Sequence, residues 1–561
     1  MVTFPPGLTP GTATPRRGRS VVATQSFAPG AAIAVVTGTD RSNPSVALPD
    51  SPHLADTCHY CLSVANAGTT TAATTAPTVR VRACTGCRTA HYCSTACQKA
   101  DWSLVHGKGE CKTFKRVRSI IESEPLVNTG TPDSLPTPIR ALIQVLLRPE
   151  MREAAAEMEG HLEMTRTRAS GGTEQDMVFQ ARGALHYMGR EECQDSIMEV
   201  IEILCQIQVN SFNRIDADTG QSGVYINTVL AMLNHSCLPN AFVRFVRRKA
   251  ILHAYREIKP GEEIEISYID IFLPRSRRRE ALKTRYNFDC VCPRCKDDLD
   301  IYQVCQRYPH LELNSFSLAP DLDKLRNPPI KQFLHSDKSL QKNVDEIYST
   351  CSTVLDGLSL ADKRRQLRQR WNMCAQLRKA ELYAIDPLAL VLIEAIIYFM
   401  EVDKSTYGLA ISCFLSLHSD PYRWPMPFDG QRVKSMIRAA KFLANTASAA
   451  PSAPDTGLAA KVSQALSKMD QVTMCQTVLS MAIRYCPAAH STEWLVYHEA
   501  RGMLNDIESL SGRGTENALV NAFNRNPNGP EERRFFESIV LEPLQVLAGF
   551  ALEIMDAEFS A

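Results

Sequence analysis

Between residues 58 and 111 the cysteines fall into pairs so close that they limit what this stretch can fold into. The pairs are Cys58-x2-Cys61, Cys84-x2-Cys87 and Cys93-x3-Cys97, followed by His106-x4-Cys111. A tight turn between two cysteines presents both sulfurs to one ion, and zinc takes four soft ligands in a tetrahedron. Eight such ligands make two sites, whereas unrelated buried cysteines would not fall jointly into this spacing. Ser94 suits a helix N-cap, which sets Cys93 and Cys97 four apart on one helical face. The chain has 19 cysteines and no apolar leader at its start. A reducing compartment, nucleus or cytoplasm, is therefore expected, with clustered thiols holding metal rather than disulfides.

A second cluster, Cys290, Cys292 and Cys295, is one ligand short of a closed zinc site. Cys237 is the obvious fourth. A zinc so formed would tie the tail segment to the Asn234-His235 loop and fix Tyr268, Tyr286 and Phe288 nearby. Ring faces attract cations, so these aromatics could line a path for an alkyl-ammonium group. Taken without their surroundings, they would read as ordinary core packing.

The 561 residues suffice for several domains, and 44% hydrophobic with 22% charged content is ordinary for a globular protein. Net charge is +1, so no global basic field exists to hold nucleic acid. The basic runs at 244–249 and 274–280 read as a strand turn and a solvated helix face. The most apolar run, 388–400, is too short to span a bilayer and carries Glu394, so a core helix is expected. Helical periodicity covers 138–212, broken at Ser170-Gly171-Gly172, and strand-like text covers 16–36 and 224–268. Beyond residue 300 the pattern is helical throughout: a hairpin array or a plain bundle.

The first cysteine module, with Tyr92-Cys93 and Cys97-Gln98-Lys99, resembles the MYND zinc finger. That family cross-braces its ions, which implies Cys58, Cys61, Cys93 and Cys97 at one and Cys84, Cys87, His106 and Cys111 at the other. The gap from Cys61 to Cys84 is longer than in the family, and the final His-to-Cys gap is longer by one residue. His59 and His91 stand near as substitutes for His106. MYND fingers bind peptides, so a peptide partner is implied here.

A longer ordered set runs through Gly223-Val224-Tyr225, Asn234-His235-Ser236-Cys237, Gly261-Glu262-Glu263 and Ser267-Tyr268, ending at Tyr286-Asn287-Phe288 and the triple-cysteine tail. It resembles the SET domain of lysine methyltransferases, and the inserted finger narrows the likeness to the SET-and-MYND (SMYD) family. The resemblance covers about 16–296. It implies an S-adenosylmethionine-dependent transfer of methyl groups to lysines of histone or other proteins, three zinc ions, a monomer, and no membrane or nucleic-acid partner.

Residue roles follow from that resemblance. Tyr268 matches the catalytic tyrosine, and Phe212 and Tyr286 join it around the lysine channel. Asn234 and His235 match cofactor contacts in a threaded loop, as do Asn210, His161 and Phe288. Arg17-Gly18-Arg19-Ser20 resembles the family's cofactor loop, with Ser20 where the family has a second glycine. Glu262 and Glu263, adjacent on a strand, point to opposite faces and read as structural. The alternative, motivated by Ser20 in that loop, is a catalytically weak or inactive zinc-finger adaptor that binds protein partners through the finger and the helical tail.

The expected fold class is α+β. The segments are a mobile N-terminus over 1–15, a SET β-fold in two parts at 16–57 and 210–272, the finger at 58–111, and a helical insert at 112–209. A post-SET zinc segment at 273–300 and a helical domain at 301–561 complete the chain.

Overall fold

The structure is a computed structural model that describes residues 3–12, 18–40, 42–65, 79–123, 134–162, 173–216, 218, 220–307, 334, 337–351, 355–448 and 457–560. Arg17, most of the long loop between Cys61 and Cys84, and the Ser170-Gly171-Gly172 break lie outside the described residues. The chain divides into two compact units. One gathers the described residues of Met1–Thr71, Thr75–Ile269 and Arg279–Cys290, the other those of Asp270–Arg278 and Val291–Ala561.

The first unit is α+β. Ala241–Val246 and Lys249–Ala254 form a hairpin, and Ala32–Val36 pairs antiparallel with the second of these strands. The basic run at 244–249 is thus a strand turn, and Arg244 and Arg248 are buried. A second sheet holds Gly220–Asn227 between Ser45–Pro49 and Phe212–Asp216. Its register explains the Gly-Val-Tyr motif. Gly223 lies opposite Pro49, and a Cβ there would stand 1.9 Å from the Leu48 carbonyl oxygen. Tyr225 is fully buried, and its hydroxyl reaches Val36 O (3.3 Å) and Ser45 Oγ (3.2 Å), stitching the two sheets together. Leu8–Pro10, within the segment expected to be mobile, forms a strand against Val21–Ala23, because Leu8 buries its side chain among the sheet residues.

A second core in this unit joins the finger to helices Thr137–Leu147, Thr173–Met188 and Gln194–Asn210. Thr137–Leu147 is buried from Ile139 to Leu146. It stops where it does because Pro149 holds Arg148 in an extended conformation (φ −120°, ψ 101°) and begins the next helix itself.

The second unit is helical among its described residues. Leu388–Glu401 packs on Ser405–His418, and Gly430–Ser448 on Gln471–Ala489, which in turn meets Leu495–Glu508. Glu394, the charge in the most apolar run, is held by Arg370 at 2.6 Å. Residues Pro530–Phe559 are long and apolar enough to cross a bilayer by length and composition alone. However, Phe536, Val540, Leu544, Leu547, Ile554 and Phe559 are buried against neighbouring helices, so the segment reads as a core helix.

Candidate functional site

The finger is built from short elements: a two-residue hairpin, Arg82–Ala83 with His91–Tyr92, and the helix Thr95–Leu104. Ser94 caps that helix, accepting from Cys97 N at 3.2 Å, which turns Cys97 towards Cys93. Cys58, Cys61, Cys93 and Cys97 gather with all four ligand atoms within 4.8 Å of one another, and so do Cys84, Cys87, His106 and Cys111. Two sets of four soft donors at this separation suit zinc in donor chemistry and number.

His106, not His59 or His91, joins the second set. Its Nδ1 lies 2.8 Å from Glu110 Oε2, so Nδ1 carries the hydrogen and Nε2 turns its lone pair to the thiols, 3.7 Å from Cys87 Sγ. Burial alone would raise the Glu110 carboxyl, but His59 and His106 hold it below the usual carboxylate range. Gln144 donates to its other oxygen at 2.8 Å. The sequence reading missed Glu110. Spacing alone did not mark it: the turn at His106–Lys108 ends at Gly109 (φ 139°), and Glu110 begins the next helix, which folds its carboxylate back onto His106.

Within the first unit, Cys237 and Cys290, two thiols of the third expected set, lie with their sulfurs within 4.8 Å of each other. His235 stands beside them. The backbone N–H of Tyr268 donates to His235 Nδ1 at 3.1 Å. That leaves the hydrogen on Nε2, which faces Cys237 Sγ at 3.3 Å. One imidazole thus links a thiol of this pair to the backbone of Tyr268.

The sequence places Tyr268 and Asn234 far apart, and a short parallel pairing of Asn234–His235 with Glu265–Ile266 brings them together. The Tyr268 hydroxyl donates to Leu233 O at 2.5 Å. Its ring centroid lies 4.7 Å from that of Tyr286, 5.3 Å from His235 and 6.4 Å from Phe288. Burial raises the Tyr286 hydroxyl above its ordinary range, against the pull of Arg285, so it stays protonated. Phe212 packs on the same sheet core as Tyr268, with its ring on Phe245 at 6.4 Å. Arg285, also missed, donates to Gln208 O and Ser211 O and lies over the Tyr286 ring, tying Tyr286 to the Asn210–Phe212 turn.

Asn210 donates from Nδ2 to Glu159 O and Gln206 O, each at 2.8 Å. The next-but-one residue, His161, has a positive φ of 51° and is partly buried. Asn210 and the Gly160-His161 turn are therefore brought together. Gly160 permits this, since a Cβ there would come within 3.2 Å of Gln206 N.

Gly18 takes the left-handed conformation (φ 65°) with open space where a Cβ would stand. Ser20 is not among the residues with positive φ, so a glycine is not required at that position. Room for its hydroxyl comes from across the turn: a Cβ on Gly11 would stand 2.3 Å from Ser20 Oγ, and Gly11 N donates to Ser20 O.

The sequence matches the SET domain family over residues 18–269. It is similar to the SET domain and MYND-type zinc finger protein 6 of Schizosaccharomyces pombe, at 32% identity over 285 residues covering 51% of each chain. It is 30% identical to the human histone-lysine N-methyltransferase SMYD3 over 38% of this chain and 48% of that protein. It is 31% identical to the N-lysine methyltransferase SMYD2 of Sus scrofa over 38% and 47% respectively. The chain thus spans about half the length of these curated relatives.

Proposed function

Because the chain belongs to the SET-and-MYND (SMYD) family, we propose that it transfers methyl groups from S-adenosylmethionine to lysine side chains of histone or other proteins. The observation that carries this reading is the pinned Tyr268. Its backbone N–H is held by His235, its hydroxyl hydrogen by Leu233 O, and its ring by Tyr286.

When bound, the cofactor supplies a methyl group on a cationic sulfonium. The chain's residues do the rest. With its own hydrogen given to Leu233 O, the Tyr268 oxygen keeps lone pairs for an amine N–H and can so orient a lysine nitrogen. Such positioning is the larger part of what a displacement of this kind needs. Aromatic walls at Phe212, Tyr268 and Tyr286 exclude water and lower the amine's pKa, favouring the neutral nucleophile.

Asn234, His235, Asn210, Tyr268, Phe288, Gly18, Arg19 and Arg17, with His161, are the proposed cofactor contacts. The thiol sets with His106 would hold three zinc ions. The adaptor reading drew on Ser20, and the fit of Ser20 against Gly11 removes its motive.

Incubation with labelled cofactor and a broad lysine-peptide array is the test. Transfer is expected, and Tyr268→Phe should cut turnover by roughly 100–1000-fold, the range for losing one preorganised polar group. No transfer by folded, zinc-loaded protein would sink the proposal.

A further inference from the structure

We propose that Glu263 is a positioning residue for the cofactor, acting through the side-chain amide of Asn234. The inference rests on the methyltransferase reading and adds a residue that neither motif spacing nor family likeness assigned a function.

A primary amide has two N–H donors and one acceptor oxygen. Both donors of Asn234 are engaged: Nδ2 gives one hydrogen bond to Arg19 O at 2.9 Å and one to Glu263 Oε1 at 2.8 Å. Both partners can only accept, Glu263 as its carboxylate. The amide therefore cannot be turned over, since a flip would set Oδ1 against two acceptors. Oδ1 is left as a fixed acceptor at a half-buried position. What it suits is a donor, and the cofactor's α-ammonium group is the donor the proposed function supplies.

Glu263 is itself held. Val22 and Glu263 form an antiparallel bridge, Ile264 N donates to Val21 O, and Asn240 Nδ2 donates to Glu263 O at 2.8 Å. Its neighbour Glu262 turns the other way, to Arg256 and Asn240. Thus the Asn234 amide joins the Gly18-Arg19 loop to the Gly-Glu-Glu segment, with the Glu263 carboxylate as one of its two acceptors. Glu263 also places negative charge beside the expected cation, so it would act on binding rather than on the chemical step.

The test is calorimetry of S-adenosylmethionine and S-adenosylhomocysteine on the full zinc-loaded chain, with steady-state kinetics alongside. Glu263→Ala should weaken binding about 10–100-fold, the cost of losing a charge-assisted hydrogen bond. It should raise the cofactor KM in proportion while leaving kcat within about threefold. Glu263→Gln keeps an acceptor oxygen but not the charge, so its affinity should fall between those of wild type and Glu263→Ala. Should the alanine variant fail to fold, Glu263→Asp decides. It keeps the charge but withdraws the acceptor, and about a three- to tenfold loss is expected. A folded Glu263→Ala or Glu263→Asp with wild-type affinity, or a loss confined to kcat, overturns the proposal. Wild-type protein that binds no cofactor would instead count against the methyltransferase reading, which separates the two failures.

Discussion

The finger at 58–111 and the helices beyond residue 360 solve the stability problem in opposite ways. The finger has two-residue strands and one ten-residue helix, and its segments meet at two sets of four thiol and imidazole groups suited to zinc. The helices carry their own core. Leu388, Val391, Leu392, Ala395 and Phe399 are fully or almost fully buried on one helix, and Met474, Val478, Leu479 and Met481 on another. Among the described residues no metal-binding group lies there. Short elements bury little apolar surface of their own, so we expect the finger to draw on ligand bonds as well as on the core it shares with the insert helices. Long amphipathic helices can bury enough without such bonds.

Metal removal is the strongest way to break that contrast. Structural zinc contributes about 10–16 kcal/mol to small domains. Chelation should therefore abolish hydrogen-exchange protection in 82–104 of the full chain while leaving it at 388–418, 430–448 and 471–489. Equal loss in both regions would show that the helices also depend on metal.

The helical region should instead be vulnerable at its buried ion pair. Arg423 Nη1 lies 2.6 Å from Asp386 Oδ1, with both side chains about 5% exposed or less. Arg423→Met should cost about 3–5 kcal/mol at neutral pH, because it leaves a buried charge unpaired. The cost should shrink in acid, where burial favours uptake of a proton by Asp386. Denaturant melts at two pH values test both parts.

Between these extremes lies the sheet region, where His253 is buried and its pKa is lowered from 6.5 to about 4, first by burial and then by Arg244. The unfolded chain binds this proton first, so stability is complete above about pH 6.5 and falls as pH drops towards 4. The loss is at most about 3 kcal/mol. His253→Asn should flatten that slope relative to wild type, and parallel slopes would remove the histidine from the account.

The smallest effect expected is at Glu110. Glu110→Ala should free His106 Nδ1 and lower the affinity of its zinc set by about 10–100-fold, read as release of one ion to a competing chelator. Unchanged affinity would show that Cys84, Cys87 and Cys111 dominate the site.

Legibility in the sequence followed the range of the interaction. The cysteine pairs, the Ser94 cap and the helical text beyond residue 300 depend on near neighbours, and each can be read from spacing. The order of Asn234-His235, Tyr268 and Tyr286 was recognisable only as a set, through family likeness. Leu8–Pro10 was misjudged because a three-residue strand has no periodicity of its own and forms only against Val21–Ala23. Glu263 read as structural for a similar reason: nothing local distinguishes it from Glu262, and the difference lies in which partner each faces.

By itself, then, the sequence determined that this chain can make clustered thiol sites, a SET-type motif series and a long helical tail, since composition and local period decide those. Only the tertiary structure decided that His106 rather than His59 completes its set, that Gly11 makes room for Ser20, and that Glu263 holds Asn234. Each of these depends on atoms brought within a few ångströms by segments distant in the chain, and their selection is steric and directional. Spacing along a sequence carries neither property.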